Sequence, residues 1–177
     1  MEKSGIEEPA AVTLATANAD GQPSARIVLL KGYSEDGFVF YTNLESRKAK
    51  ELRANPHAAL CFYWEPIHYQ VRVQGHVDQV SDEEADAYFA TRPRGSQIGA
   101  WISKQSSRLK HHSELEERFR SFEKEYEGRQ ISRPSFWSGF RLIPGRMEFW
   151  RRGQNRLHER TLYVRDSDGW DVCLLYP

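Results

Sequence analysis

The placement of turn signals constrains this chain most. Asp20-Gly21, Asp36-Gly37, Glu65-Pro66 and Asp166 to Gly169 cut it into short segments, many of which alternate apolar and polar side chains in the period-2 pattern of a half-buried strand. Val12–Ala17 and Arg26–Leu30 read as two strands joined by a turn, and Phe38–Thr42 completes a meander. Ser46–Ala54 has helical spacing and stops at Asn55-Pro56. Ala58–Tyr63 and Tyr69–Val80 read as two more strands, the second with Gln70, Arg72, Gln74 and His76 on one face. Ser81-Asp82-Glu83-Glu84 is a capping box that opens a helix reaching about Thr91, where Pro93 interrupts it. A short helix is expected over Gly95–Ser103, and a charged one over Ser113–Tyr126 with Leu115, Phe119 and Phe122 on its apolar face. Strands return at Phe140–Ile143, Met147–Arg151, Leu157–Val164 and Trp170–Leu175. Without regular βαβ alternation, the expected fold is mainly β with peripheral α-helices: an antiparallel barrel, one domain over residues 1–177.

A chain of this size can bury roughly 70% of its unfolded surface, so neither disulfides nor a metal is required for stability. Lys and Arg number 25 and Asp and Glu 25, so no overall field attracts nucleic acid or an anionic membrane. Any anion site must be local, and Arg141 to Arg160 is such a locality, with six arginines against Glu148 and Glu159. Cys61 and Cys173 lack metal-ligand spacing and read as reduced core residues, which favours the cytoplasm. Met1–Pro9 has no signal-peptide character, and no apolar run approaches the ~18 residues of a membrane span.

The chemistry-bearing residues cluster at the ends of these segments. At strand period Arg156, His158 and Arg160 share a face, and two guanidiniums flanking an imidazole there call for an anionic partner to offset their desolvation. Arg26 and Lys31 sit at two ends of one strand, and Ser46-Arg47-Lys48 opens a helix whose free amides favour an anion. Tyr88 and Arg92, four apart, fall on one helix face, with Ser96 just beyond Pro93. Each stretch alone reads equally as a solvated helix end, a strand edge or a packed aromatic. Their repetition, together with Tyr41, Gln70, Gln105 and Ser106, points to two anion sites beside aromatic residues. No Gly-x-Gly-x-x-Gly and no P-loop is present, so side chains must hold any phosphate.

Seven motifs carry a resemblance: Arg-Ile-Val-Leu-Leu-Lys at 26–31, Tyr-Thr-Asn at 41–43, Ser-Arg-Lys at 46–48, Ser-Gln-Ile-Gly-Ala-Trp at 96–101, Gln-Ser-Ser at 105–107, Glu-Phe-Trp at 148–150 and Asn-Arg-Leu-His-Glu-Arg at 155–160. In this order and spacing the chain resembles the pyridoxamine 5'-phosphate oxidase family from about Glu8 to Pro177. The resemblance implies a split β-barrel homodimer with FMN in clefts between subunits. It implies that Arg26, Arg47, Lys48, Thr42 and Ser106 contact the flavin's phosphate and ribityl chain, with Ile27, Val28, Leu29, Leu30 and Lys31 completing the first cofactor-binding run. Tyr41, Gln70, Gln105, Trp150 and Arg160 would line the rest of the flavin, Arg160 as a cation stabilising charge on reduction. Lys31, Tyr88, Arg92 and Ser96 match a substrate-phosphate clamp. Arg156 and His158 match the catalytic pair facing the pyridine ring, in a role of orientation and binding more than of acid or base.

The implied reaction oxidises pyridoxamine or pyridoxine 5'-phosphate to pyridoxal 5'-phosphate, with hydride passing from C4' to the flavin. Oxygen is the final acceptor and yields hydrogen peroxide, and the amine substrate also releases ammonia. Two other readings stay open: a phenazine-biosynthesis-type flavin oxidase acting on a carboxylated tricycle, and a noncatalytic FMN or pyridoxal phosphate carrier. Lys31, Tyr88, Arg92 and Ser96 favour phosphate over the first, and only turnover separates the second. Many members of the family carry an N-terminal lid that supplies an Arg and a Tyr. Only Met1–Pro9 precede the first strand here, so no such lid is expected.

Overall fold

A computed structural model describes residues 5–177, so Met1–Ser4 of the short N-terminal segment lie outside the described residues. The chain forms two compact units. One comprises the residues up to Phe40, Glu51–Asp78 and Arg141–Pro177, and the other Tyr41–Lys50 and Gln79–Phe140.

The chain's strands form one sheet of nine: β1 (Ala11–Ala17), β2 (Pro23–Leu29), β3 (Gly32–Ser34), β4 (Gly37–Asn43), β5 (His57–Trp64), β6 (Tyr69–Gln79), β7 (Trp137–Arg151), β8 (Glu159–Arg165) and β9 (Trp170–Leu174). Their order is β2-β1-β5-β6-β7-β4-β3, with β8 paired to β7 and β9 to β8. The expected alternation holds in β1, where Val12, Leu14 and Thr16 are buried. Leu14 lies opposite Leu60 of β5, and Leu60 opposite Val73 of β6, all three fully buried. Each such side chain contributes about 1.5–3 kcal/mol by leaving water, which fixes the register of three antiparallel strands at once.

Four features depart from the sequence-based expectation. The segments Phe140–Ile143 and Met147–Arg151 are parts of one 15-residue strand, β7, that runs through Pro144-Gly145 without turning. Gly75 of β6 permits this, since a Cβ there would lie 1.8 Å from the Ile143 carbonyl oxygen. The three-residue strand β3 pairs with β4 around Gly37 and is too short to show alternation. Residues 156–160 do not form a single strand. Gln154–Arg156 make a 3-10 turn with Asn155 at φ 51° and Arg156 at φ 63°, and β8 begins only at Glu159. Left-handed residues break period two, so Arg156 does not share a strand face with His158 and Arg160. Finally, Cys173 is exposed, because β9 pairs only with β8 and is an edge strand, and Cys61 of β5 is half-buried.

The second unit holds the start of α1 (Arg47–Ala54), together with α2 (Asp82–Thr91), α3 (Arg94–Ile102) and α4 (His112–Glu125). The Ser81 hydroxyl accepts from the Glu84 amide at 3.1 Å, which caps α2 as the sequence suggested. Arg92 is extended (ψ 143°) because Pro93 follows it, and this ends the helix. Phe89, Ile98, Ile102, Ile131 and Trp137 form the core of this unit, with Leu115, Phe119 and Phe122 of α4 packed against it. No helix among the described residues is long and apolar enough to cross a membrane.

The row Leu14–Leu60–Val73 generates a stability prediction. Leu60→Ala should cost about 2–5 kcal/mol, read as a lower urea midpoint at unchanged m-value. A loss below about 1 kcal/mol would mean that this row does not anchor the sheet.

Candidate active site

In the second unit, residues some sixty positions apart meet at the start of α1. The Lys48 ammonium donates to the Thr42 hydroxyl at 3.1 Å and to Gln105 Oε1 at 2.7 Å, and the Thr42 hydroxyl donates to the same oxygen at 2.9 Å. The Arg47 amide donates to the Ser106 hydroxyl at 3.2 Å, and Ser106 adopts φ 71° to reach it. Ser46, fully buried, precedes them. Thr42, Arg47, Lys48, Gln105 and Ser106 therefore form one polar cluster, which includes Gln105 from the flavin-lining set of motif residues and does not include Arg26. A buried ammonium, two hydroxyls and a helix's first amides are the donor types that suit a phosphate.

A second cluster in the same unit is aromatic. Tyr41 stacks on Tyr88 (centroids 4.0 Å apart, planes at 13°) and on Trp137 (5.3 Å, 8°). Gly139 makes room, since a Cβ there would come within 2.8 Å of the Tyr41 ring. The Arg92 guanidinium lies 4.6 Å from the Trp137 centroid and 5.6 Å from that of Phe89. Its Nη1 is buried and has no hydrogen-bond partner among the described residues. Burial pushes the Arg92 pKa down and that of Tyr88 up, each opposed by the other's charge. An unpaired, desolvated guanidinium edge is costly, and an anion at this point would relieve the cost. Ser96, the remaining clamp residue in this unit, is exposed on the first turn of α3.

In the first unit, Arg26 is already engaged. Its guanidinium donates to the Thr16 hydroxyl at 2.6 Å, to the Leu14 carbonyl at 3.2 Å and to the Ser24 hydroxyl, and it pairs with Glu51 at 3.3 Å. Glu51 also accepts from Thr16 at 2.5 Å and from Ser24 at 2.6 Å. Along β2 the side chains alternate, so Arg26 and Val28 are half-buried while Ile27 and Leu29 are exposed on the other face. Only alternate members of the run from Arg26 to Leu29 can therefore act together. Lys31 lines an apolar cavity of about 620 Å³ with Tyr33, Phe38, Trp64 and Phe149. Gln70 is half-buried opposite Tyr63.

The same unit also holds Trp150, Arg156, His158 and Arg160. Trp150 and Arg160 are register partners across β7 and β8, and the His158 ring lies 4.7 Å from that of Trp150. The Gly153 amide donates to His158 Nδ1 at 3.3 Å, so a neutral ring carries its proton on Nε2 and presents a donor there. Arg156 and His158 line one cavity of about 630 Å³, brought together by the turn at 154–156 rather than by strand periodicity. Arg160 donates to buried Glu148 at 2.8 Å and to the Tyr176 carbonyl at 2.8 Å, and Arg72 donates to the other Glu148 oxygen at 3.2 Å. Those bonds, above all the one from Arg160, hold the Glu148 carboxyl below its ordinary pKa.

Sequence reasoning missed four contributors: Trp137, Glu51, Glu148 and His68, the last of which lines the cavity with Arg156 and His158. For Glu148 a signal existed, a carboxylate alone among arginines in a strand. For Trp137, Glu51 and His68 there was none.

Residues 2–126 match the family model described as pyridoxamine 5'-phosphate oxidase, and residues 137–177 that of the pyridoxine 5'-phosphate oxidase C-terminal dimerisation region. The pyridoxine/pyridoxamine 5'-phosphate oxidase of Myxococcus xanthus strain DK1622 is 55% identical over 170 residues, covering 96% of this chain and 82% of that protein. That of Rubrobacter xylanophilus is 54% identical over 175 residues, covering 99% and 81%. Among solved structures, PhzG from Burkholderia lata 383, in complex with tetrahydrophenazine-1-carboxylic acid, superposes with a TM-score of 0.92 at 31% identity, covering 97% of this chain and 84% of that one. A pyridoxamine 5'-phosphate oxidase-related, FMN binding protein from Nostoc punctiforme shares the fold at TM-score 0.77 and 20% identity. The split-barrel expectation thus holds. With both family models matched in order and more than half of the residues shared with these relatives, the chain belongs to the pyridoxamine 5'-phosphate oxidase family of oxidoreductases.

Proposed function

We propose that this protein uses FMN to oxidise pyridoxamine or pyridoxine 5'-phosphate to pyridoxal 5'-phosphate. The observation that carries the choice of a phosphorylated substrate is the buried, unpartnered Nη1 of Arg92 beside the Tyr41–Tyr88–Trp137 stack. An anion supplies the missing acceptor, and Tyr88 adds a hydroxyl on the same side of α2. Lys31 and Ser96 are assigned to the same phosphate by the family motifs.

Lys48, Thr42, Gln105, Ser106 and the Arg47 amide fit the terminal phosphate and ribityl hydroxyls of FMN. Arg26, with Ile27, Val28, Leu29 and Leu30 in the same motif, is assigned to the cofactor as well, as are Tyr41, Gln70, Trp150 and Arg160. Bound FMN supplies the two-electron acceptor that oxygen regenerates. Arg156 and His158 orient the substrate's ring, with His158 Nε2–H donating to a ring substituent. The alcohol substrate and O2 give pyridoxal 5'-phosphate and H2O2. The amine substrate also consumes one water and releases ammonia, because its imine product hydrolyses. The working form is a homodimer with FMN between subunits, supported by the match of residues 137–177 to a dimerisation region. Cytoplasmic location is consistent with the two free cysteines.

A second reading, oxidation of a carboxylated tricycle, is favoured by the likeness to PhzG. Identity of 55% to the pyridoxine/pyridoxamine 5'-phosphate oxidases against 31% to PhzG ranks it second.

The purified protein should be yellow and release FMN, not FAD, on denaturation. Lys48→Ala should raise the FMN dissociation constant roughly ten- to a hundredfold, the effect of losing a charge-assisted contact of about 1.5–3 kcal/mol. An unchanged constant in a fluorescence titration would remove Lys48 from the site.

Arg92→Ala should raise KM for pyridoxine 5'-phosphate at least tenfold while FMN content stays full. Loss of FMN with unchanged KM would reassign Arg92 to the cofactor.

Light scattering should report a dimer. A monomer that keeps stoichiometric FMN would contradict the shared site.

A further inference from the structure

Glu148 is a buried carboxylate on β7, and nothing in the chemistry of substrate binding requires it. Its two oxygens are divided between two guanidiniums, Oε1 with Arg160 Nε at 2.8 Å and Oε2 with Arg72 Nη1 at 3.2 Å. The Glu148 side chain is 6% exposed, against 26% for Arg160 and 41% for Arg72, so the pair is closed from the carboxylate side and open from the cationic side. Arg160 Nη1 is held by the Tyr176 carbonyl, which leaves Nη2 with no hydrogen bond among the described residues. Arg160 also stands directly across from Trp150 in the β7–β8 register.

We propose that Glu148 is a positioning residue that both aims Arg160 and sets the net charge presented to the bound flavin, by tying Arg160 and Arg72 into one cluster of net charge +1. This rests on the reading above that Arg160 lies at the flavin. The groups around the cluster support the charge assignment. The Arg160 and Arg72 guanidiniums hold Glu148 ionised, while burial pushes the Cys61 thiol up, so that it stays neutral beside Arg72. Arg146 adds a weaker pull on Glu148 from an exposed position.

A flavin that gains negative charge on reduction is stabilised by positive charge nearby, and the effect strengthens where water is excluded. With two guanidiniums and no carboxylate the reduced state would be favoured further, and with one guanidinium and the carboxylate it would be favoured less. Glu148 therefore holds the flavin at an intermediate potential, low enough for rapid return of electrons to oxygen.

The test is the midpoint potential of FMN in the intact holoenzyme, measured by dye equilibration for the parent protein and for Glu148→Gln, Arg72→Gln and the double variant. Glu148→Gln should shift the potential to more positive values, Arg72→Gln to more negative ones, and the double variant should return towards the parent. If FMN stays bound and neither single variant moves the potential, Glu148 is only a structural ion pair and the inference is overturned. If Glu148→Gln does not fold or retain flavin, Arg72→Gln decides, and an unmoved potential there overturns the inference equally. A parent protein that binds no FMN would instead overturn the functional reading beneath it.

Discussion

Removing cations from water is the constraint around which both units are arranged. A guanidinium or ammonium that loses hydration needs an acceptor, a carboxylate or an aromatic face to offset the loss, and each solution costs the chain some freedom elsewhere. Lys48 is held by Thr42 and Gln105, Arg26 by Glu51 with two hydroxyls, Arg160 by Glu148, and Arg92 by the face of Trp137. Only the last leaves a buried donor atom without a partner among the described residues, and the proposed phosphate-binding role of Arg92 rests on that asymmetry.

These four arrangements also separate binding from electronics. In the proposed account, charge-assisted bonds to phosphate select what binds, whereas the carboxylate behind Arg160 tempers the positive charge presented to the flavin. Arg26 stands apart from Arg160 in this respect. Its guanidinium is shared with Glu51, Thr16, Ser24 and Leu14 inside one unit, so any contribution to cofactor binding comes from a cation already largely neutralised by its neighbours.

Much of this organisation was legible in the sequence. Period-2 alternation located β1, β5 and β6, and the Ser81 cap and Pro93 bounded α2, because these are local preferences that tertiary packing reinforced. The motifs placed Thr42, Lys48 and Gln105 in one cofactor site without pairing them, and the fold adds the direct contact that no local rule connects across residues so far apart. What failed was also local. Phe140–Ile143 and Met147–Arg151 read as separate strands, yet pairing continues through Pro144-Gly145 because Gly75 lets the neighbouring backbone approach. Arg156, His158 and Arg160 read as one strand face, yet Asn155 and Arg156 adopt left-handed angles, which Asn tolerates but nothing about Arg156 announces. Arg156 and His158 still line one cavity, but it is the turn at 154–156 and not a shared strand face that brings them together. Glu51, Trp137 and His68 were invisible because their importance arises only from what the fold brings beside them.

Oxygen uptake measured together with pyridoxal 5'-phosphate formation tests the central claim most directly. On adding pyridoxine 5'-phosphate to the FMN-loaded protein in air-saturated buffer, aldehyde product, oxygen consumed and hydrogen peroxide formed should appear in equal amounts. An FMN-loaded protein that leaves pyridoxine 5'-phosphate and pyridoxamine 5'-phosphate untouched, or that consumes oxygen only with tetrahydrophenazine-1-carboxylic acid, would contradict it.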